Sequence, residues 1–314
     1  MSEGGTYTFD QADSSNSGHP IRFSTTSDGT HGGGSEYTTG VTTVGTPGSA
    51  GAYTRITVAA SAPTLYYYCS VHSGMGGQAN TPVTNSFSSF NGTIQSNISP
   101  NTTSGFSIVS YTGNGTSGTT VAHGLGTTPD MYITKNRDYA YGWGVYHKSL
   151  GANYGLFLND TTASTAGTGW RNNTAPTSSV FTLGGGSQPY RYSANKSGDD
   201  YIAYCFSEKK GFSKFGSYTG NGNADGTFVY TGFKPAFVLL KQTNGVDSWY
   251  IYDNKANPSN PNAQYLRPNL SAAEGTFTTL DTLSNGFKFR TADNDFNGSG
   301  DSYIYMAFAE NPLV

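Results

Sequence analysis

Charge is scarce in this chain: Asp, Glu, Lys and Arg make up 12% of its 314 residues, about half the ~25% usual in globular proteins. Neither sign dominates. Seventeen basic against twenty acidic residues leave a net charge of -3, and no basic cluster occurs, which excludes a nucleic-acid surface. Long apolar runs are missing as well. The longest core-like run resembles "AFVLL" at 236–240, far short of the ~20 residues that cross a bilayer, so no membrane span is expected. Cysteine is nearly absent, and Cys69 and Cys205 fall in different parts of the chain, so a disulfide framework does not hold it together. The opening "MSEGGTYTFD" has neither a charged nor an apolar leader segment, which predicts synthesis in a reducing cytoplasm.

Gly (42), Tyr (23) and abundant Ser, Thr and Asn fill the space that charge leaves. Strong helix formers are sparse in every window, whereas Thr, Tyr, Phe and Val favour short strands between Gly- and Asn-rich turns. The expected fold class is all-β.

An internal repeat organises the second two thirds of the chain. "SYTGNG" at 110–115 returns at 217–222, "MYITK" at 131–135 parallels "FVLLK" at 237–241, and Trp143 and Tyr146 parallel Trp249 and Tyr252. Each copy closes alike, with "SGDDYIAYCFSE" at 197–208 and "SGDSYIYMAFAE" at 299–310. Two β-sandwich repeats are therefore expected, at 106–211 and 212–314, forming either two sandwiches or one larger one. Residues 1–80 form a separate β module. The stretch 81–105, "TPVTNSFSSFNGTIQSNISPNTTSG", lacks apolar periodicity and reads as a Ser/Thr/Asn/Pro-rich linker, an extended tether with a few residues added to a sheet edge.

One loop of the N-terminal module carries chemistry. In "LYYYCSVHSGM", Cys69, His72 and Met75 follow an aromatic strand at three-residue intervals, and His19 lies upstream in "GHPIRF". A thiolate and two imidazoles suit a trigonal copper site, with a thioether as weak axial contact. The loop resembles that of type 1 copper proteins, the cupredoxins, over about residues 6–80. That resemblance implies a truncated Greek-key sandwich with His19, Cys69, His72 and Met75 as metal ligands. No cofactor is expected all the same: the preferred reading is a vestigial loop in which Cys69 is buried as a small hydrophobe and His72 and Met75 pack at the end of the sandwich, with bound copper the alternative. His31, in "DGTHGGG", reads as a loop histidine.

Other motifs are weaker. "DNDFNGSGD" at 293–301 begins like a calcium loop, but its twelfth position is Ile304 rather than an acid, so a polar hairpin is expected. His123 and His147 invite a catalytic reading with Asp130 or Asp138, yet their counterparts in the second copy are Thr231 and Asp253. What both copies share is packing residues, and no enzyme is expected.

The doubled unit, from "FSIVSYTGNG" to "SYIYMAFAENP", resembles a repeat domain of unknown function in structural proteins of marine tailed phages, cyanophages in particular. "GHPIRF" and "YYYCSVHSGMGG" likewise resemble a small cupredoxin-like module of such proteins. The resemblance implies a virion protein on the particle exterior, associated with the tail or fibre or decorating the capsid. Its expected partners are other virion proteins, further copies of itself and host surface polysaccharide. The alternative is a copper-binding electron carrier or sensor.

Overall fold

The computed structural model describes residues 1, 5–59, 62–79, 87–185 and 190–312, and these fold as an all-β protein with only four- and five-residue helices besides one 3-10 turn. The chain divides into two compact units, Met1–Phe87 and Ser88–Val314.

The first unit has two three-stranded antiparallel sheets. One joins β1 (Thr6–Asp10), β3 (Val41–Val44) and β4 (Tyr53–Thr57) in the order β1-β4-β3; the other joins β2 (Ile21–Ser24), β5 (Leu65–Cys69) and β6 (Gly76–Ala79) as β2-β5-β6. Alternation along the strands turns Tyr7 and Phe9, Ile56, and Phe23 and Leu65 to one side. There they form a small core with Val58 and Ala62.

The second unit is larger and is built in four layers. Its first copy contributes β9 (Phe106–Thr112), β11 (Met131–Asn136), β12 (Gly144–His147) and β16 (Asp200–Phe206), ordered β9-β16-β11-β12. The second copy repeats that order with β17 (Ser213–Thr219), β24 (Ser302–Ala309), β19 (Pro235–Gln242) and β20 (Trp249–Asp253). The first sheet is extended at one edge by β13 (Tyr154–Phe157) and β14 (Thr165–Ala166). At the other edge β8 (Ser96–Asn101) and β7 (Phe87–Ser89) are added, which completes eight strands.

The two faces of each sheet have different neighbours. In the first copy Tyr111, Tyr132, Tyr146, Tyr201 and Cys205 pack beneath the small sheet of β10 (Thr120–Ala122) and β15 (Val180–Thr182), through Val121 and Phe181. The matching positions of the second copy, Tyr218, Val238, Tyr252, Tyr303 and Ala307, pack beneath β18 (Phe228–Tyr230) and β23 (Gly286–Phe289). That outer sheet continues into β22 (Gly275–Leu283) and β21 (Asn262–Tyr265). The opposite faces meet each other: Met131, Ile133, Val145 and Leu156 form one core with Phe215, Leu239, Trp249, Ile304 and Met306. The repeats thus make neither two independent sandwiches nor one, but two sandwiches sharing a central apolar layer.

From residue 87 onward, the stretch expected to be a linker contributes strands to the sheet. Residues 81–86 lie outside the described residues, but β7 and β8 are strands of the sheet, and β8 pairs with β9 along six residues from Ser96–Tyr111 to Asn101–Phe106. Its inward positions are Ser96, Ile98 and Pro100. A single aliphatic side chain gave the sequence no apolar alternation, while the ladder to β9 satisfies its backbone.

Candidate functional site

In the first unit the sheet of β2, β5 and β6 carries three potential ligands to one end. His19 stands two residues before β2, after a turn at Gly18 with φ of 77°. Cys69 ends β5 opposite Ile21. His72 lies on the loop from β5 to β6. Two polar anchors fix this arrangement. Gln11, buried, donates to the His19 carbonyl at 2.8 Å and accepts from the Ile21 amide and the Thr54 hydroxyl. The Ser70 amide donates to the Pro20 carbonyl at 3.1 Å, tying the Cys69 side of the loop to the His19 side.

The loop is closed by a hydrogen bond from the Cys69 amide to the Met75 carbonyl at 2.8 Å and steadied by one from the Gly74 amide to Asp28 Oδ1 at 2.9 Å. Cys69 Sγ is 3.6 Å from His72 Nδ1 and 3.9 Å from His19 Nδ1, and the two imidazole rings are 4.7 Å apart. All three ligand atoms lie within 4.8 Å of one another. With a metal–sulfur bond of ~2.3 Å and metal–nitrogen bonds of ~2.0 Å at about 120°, the sulfur–nitrogen separation is about 3.7 Å. Both sulfur–nitrogen separations fit a metal held by Cys69, His19 and His72.

Burial is graded across the set, since Cys69 is buried, His19 half-buried and His72 exposed. The sulfur therefore lies inward with the imidazoles toward solvent. Met75, the fourth residue expected there, is 47% exposed and is brought to Cys69 by its backbone carbonyl. His31 braces the loop instead: its Nε2 is 3.2 Å from the Cys69 carbonyl, and its ring stands edge-on to Tyr68.

The histidines of the second unit are packing residues. His123 lies against the Thr177 carbonyl at 3.2 Å and accepts the Leu125 amide; His147 does the same with the Tyr305 carbonyl and the Ser149 amide. Burial lowers the pKa of both, that of His147 to about 4. Each is held neutral inside a core, and His147 bridges the two copies.

The calcium-like stretch is a short helix, α3 (Asn294–Asn297), where a polar hairpin was expected. Asp293 caps it by accepting the Asp295 amide, and Asp295 accepts the Tyr250 hydroxyl at 2.7 Å. Asn297 is fully buried. Its amide nitrogen donates to the Asn223 and Thr291 carbonyls, and its oxygen accepts the Asn221 amide. Asn195 has the same office in the first copy, accepting the Asn114 and Gly115 amides and donating to the Thr116 and Gly184 carbonyls. The signal was present in the repeat, as "NKSGD" at 195–199 and "NGSGD" at 297–301. These asparagines hold the two "TGNG" turns.

A family model described as a domain of unknown function, DUF7483, matches residues 77–312. The chain belongs to the DUF7483 family. No curated protein and no solved structure matches it. The DUF7483 match takes in the whole four-layered unit, together with β7 and β8. It begins after Met75, so His19, Cys69, His72 and Met75 all lie outside the DUF7483 range.

Proposed function

We propose that this protein is a structural component of the exterior of a tailed-phage virion, tail- or fibre-associated or decorating the capsid. It acts by assembly with other virion proteins and with copies of itself, and by attachment to host surface polysaccharide. The observation that carries this reading is where the second unit puts its reactive side chains. His123 and His147 lie neutral in cores, and the residues common to both copies build sheets and turns. Such a body offers rigid surfaces rather than reacting groups. The low charge, the Tyr/Ser/Thr/Asn/Gly-rich composition and the resemblance of both modules to phage structural proteins support it further. Mass spectrometry of purified particles should find the chain in stoichiometric amount, and antibodies to it should label intact particles. Its absence from particles ends the reading.

A second reading rests on the 3.6 and 3.9 Å sulfur–nitrogen spacings. In it the first unit is a type 1 copper module in which Cys69, His19 and His72 would hold the metal, with Met75 as the further ligand that the resemblance implies. Bound there, copper supplies one-electron redox chemistry. The chain's part would be to hold the His19 backbone through Gln11, to tie the Cys69 side of the loop to it through the Ser70–Pro20 hydrogen bond, and to keep the Cys69 sulfur buried. Cu(II) added to reductant-free protein should raise an intense visible thiolate-to-copper band that Cys69→Ala abolishes. A colourless wild-type sample excludes the site.

A further inference from the structure

The two copies in the second unit share one frame, so places where they differ in polar chemistry rather than in packing stand out. One lies beside the central layer, where the eight-stranded sheet runs on past the second copy's sheet and β8, β9, β16 and the start of the β11–β12 turn surround a cleft of about 490 Å³. That volume falls within the roughly 300–1,000 Å³ of small-ligand sites. The cleft exists in one copy because β8 extends only that sheet; β17, the counterpart of β9, is an edge strand.

Period-two geometry directs alternate side chains to this side of the sheet. Gln95 and Asn97 come from the β8 segment, Ser110 and Thr112 from β9, Asp200 from β16 and Arg137 from the turn. Asn97 is paired with Ser110 across one ladder and Asp200 with Thr112 across the next. The backbone beneath is fixed, because the Arg137 amide donates to the Asp200 carbonyl and the Asp200 amide to Asp138 Oδ2. Thr112 orients the Asp200 carboxylate by donating to its Oδ1 at 2.8 Å. Asn97 is oriented through its oxygen, which accepts the Ser88 hydroxyl at 2.9 Å. Among the described residues the Arg137 guanidinium forms no ion pair.

The second copy retains the frame and loses the chemistry. The Thr243 amide donates to the Ser302 carbonyl as Arg137 does to Asp200, and Thr219 pairs with Ser302 as Thr112 does with Asp200. Thr243 and Ser302 thus replace the guanidinium and the carboxylate. Packing does not require those charges.

The geometry points to a saccharide-binding cleft formed by Gln95, Asn97, Ser110, Thr112, Arg137 and Asp200. The ligand class follows from the donor set. One carboxylate and one guanidinium cancel in charge, so a polyanion gains no net attraction. Amides, hydroxyls and an oriented carboxylate match neighbouring sugar hydroxyls that both donate and accept. This site deepens the attachment part of the proposed function and rests on it only for the biological source of the sugar.

The test is a printed array of neutral and acidic oligosaccharides probed with the purified full chain. Ligand-observed NMR on the positive spots provides the second readout. Wild-type protein should retain neutral glycans at physiological salt. Asp200→Ala and Asn97→Ala, both exposed changes, should each weaken retention at least tenfold with unchanged melting temperature, whereas Ser302→Ala leaves it intact. An array without a positive spot overturns the inference, as does retention indifferent to Asp200→Ala or confined to acidic glycans at low salt. Particle labelling is read separately, so a chain present on virions but blind to glycans removes this site alone.

Discussion

The two copies in the second unit hold the same strands in the same order and spend their buried polar residues differently. In the first copy, Arg171 at the end of α1 (Thr168–Arg171) is buried against aromatic rings. Its guanidinium carbon is 5.2 Å from the ring centre of Tyr132 and 5.0 Å from that of Tyr146, and its Nε donates to the Tyr132 hydroxyl at 2.8 Å. Val238 replaces Tyr132 in the second copy, and the buried cation there is Lys241, which is 0% exposed and donates to the Gln242 carbonyl. Burial lowers its pKa to about 8, against the pull of Asp247 and Asp160. Its counterpart Lys135 reaches the surface and caps the Tyr139 and Tyr141 carbonyls. A duplicated frame therefore fixes backbone and apolar positions, and leaves each copy free to neutralise its buried polar groups in its own way.

The central layer gives the sharpest way to break the comparison. Trp249 and Trp143 are counterparts, but Trp249 is buried and donates its indole N–H to the Phe157 carbonyl of the other copy, whereas Trp143 is half-buried. Trp249→Ala should cost about 3–5 kcal/mol in denaturant unfolding, and Trp143→Ala roughly half as much. Equal losses would mean that the two copies bear on the layer alike.

Asn195 and Asn297 test the opposite claim, that the frame is common. Each alanine variant strands buried main-chain groups and should cost about 1–3 kcal/mol. The two losses should agree within about 1 kcal/mol, since each asparagine accepts the amide of the turn asparagine and donates to the carbonyl two residues on. A much larger loss at one site would show that only one of the turns needs its asparagine.

The smallest effect is in pH. Asp247, at the position of Tyr141 in the first copy, has its pKa raised to about 6 by burial and by the nearby Asp295 carboxylate. The folded state therefore holds this proton more tightly than the unfolded chain does. The resulting stability is fully present below pH ~4 and is lost as pH rises through about 6. Solvent screening reduces its size to about 1 kcal/mol. The stability of wild type minus that of Asp247→Asn should therefore fall by about that amount between pH 4 and pH 7. A flat difference would show that Tyr250 and Lys241 compensate the carboxylate at every pH.

The internal repeat carried most of the fold into the sequence. Tyr111, Tyr201, Tyr218 and Tyr303 sit at matching places in the "SYTG" and "GDxY" segments. They stack in pairs, at 5.3 Å in the first copy and 4.7 Å in the second. The turn asparagines were visible in the same comparison. β8 was not, because a strand of Ser, Asn and Pro gains its place from ladder bonds to β9 rather than from apolar alternation. At the metal-like loop, the spacing pointed to Cys69 and His72 and the His-Pro setting to His19, three residues that the structure brings together, whereas Met75 meets Cys69 through its backbone carbonyl. Gln11 did not, because a buried amide fastening a loop from the neighbouring sheet has no local sequence pattern.

The shared central layer has a further consequence. It draws on equivalent positions of both copies, Ile133 with Leu239, Val145 with Ile251 and Phe206 with Phe308, as the isologous interface of a twofold dimer does. The second unit is in effect such a dimer with its subunits fused. Covalent linkage makes association independent of concentration. It also releases the halves from identity: one could acquire β7, β8 and a polar cleft while the other kept the partner face unchanged.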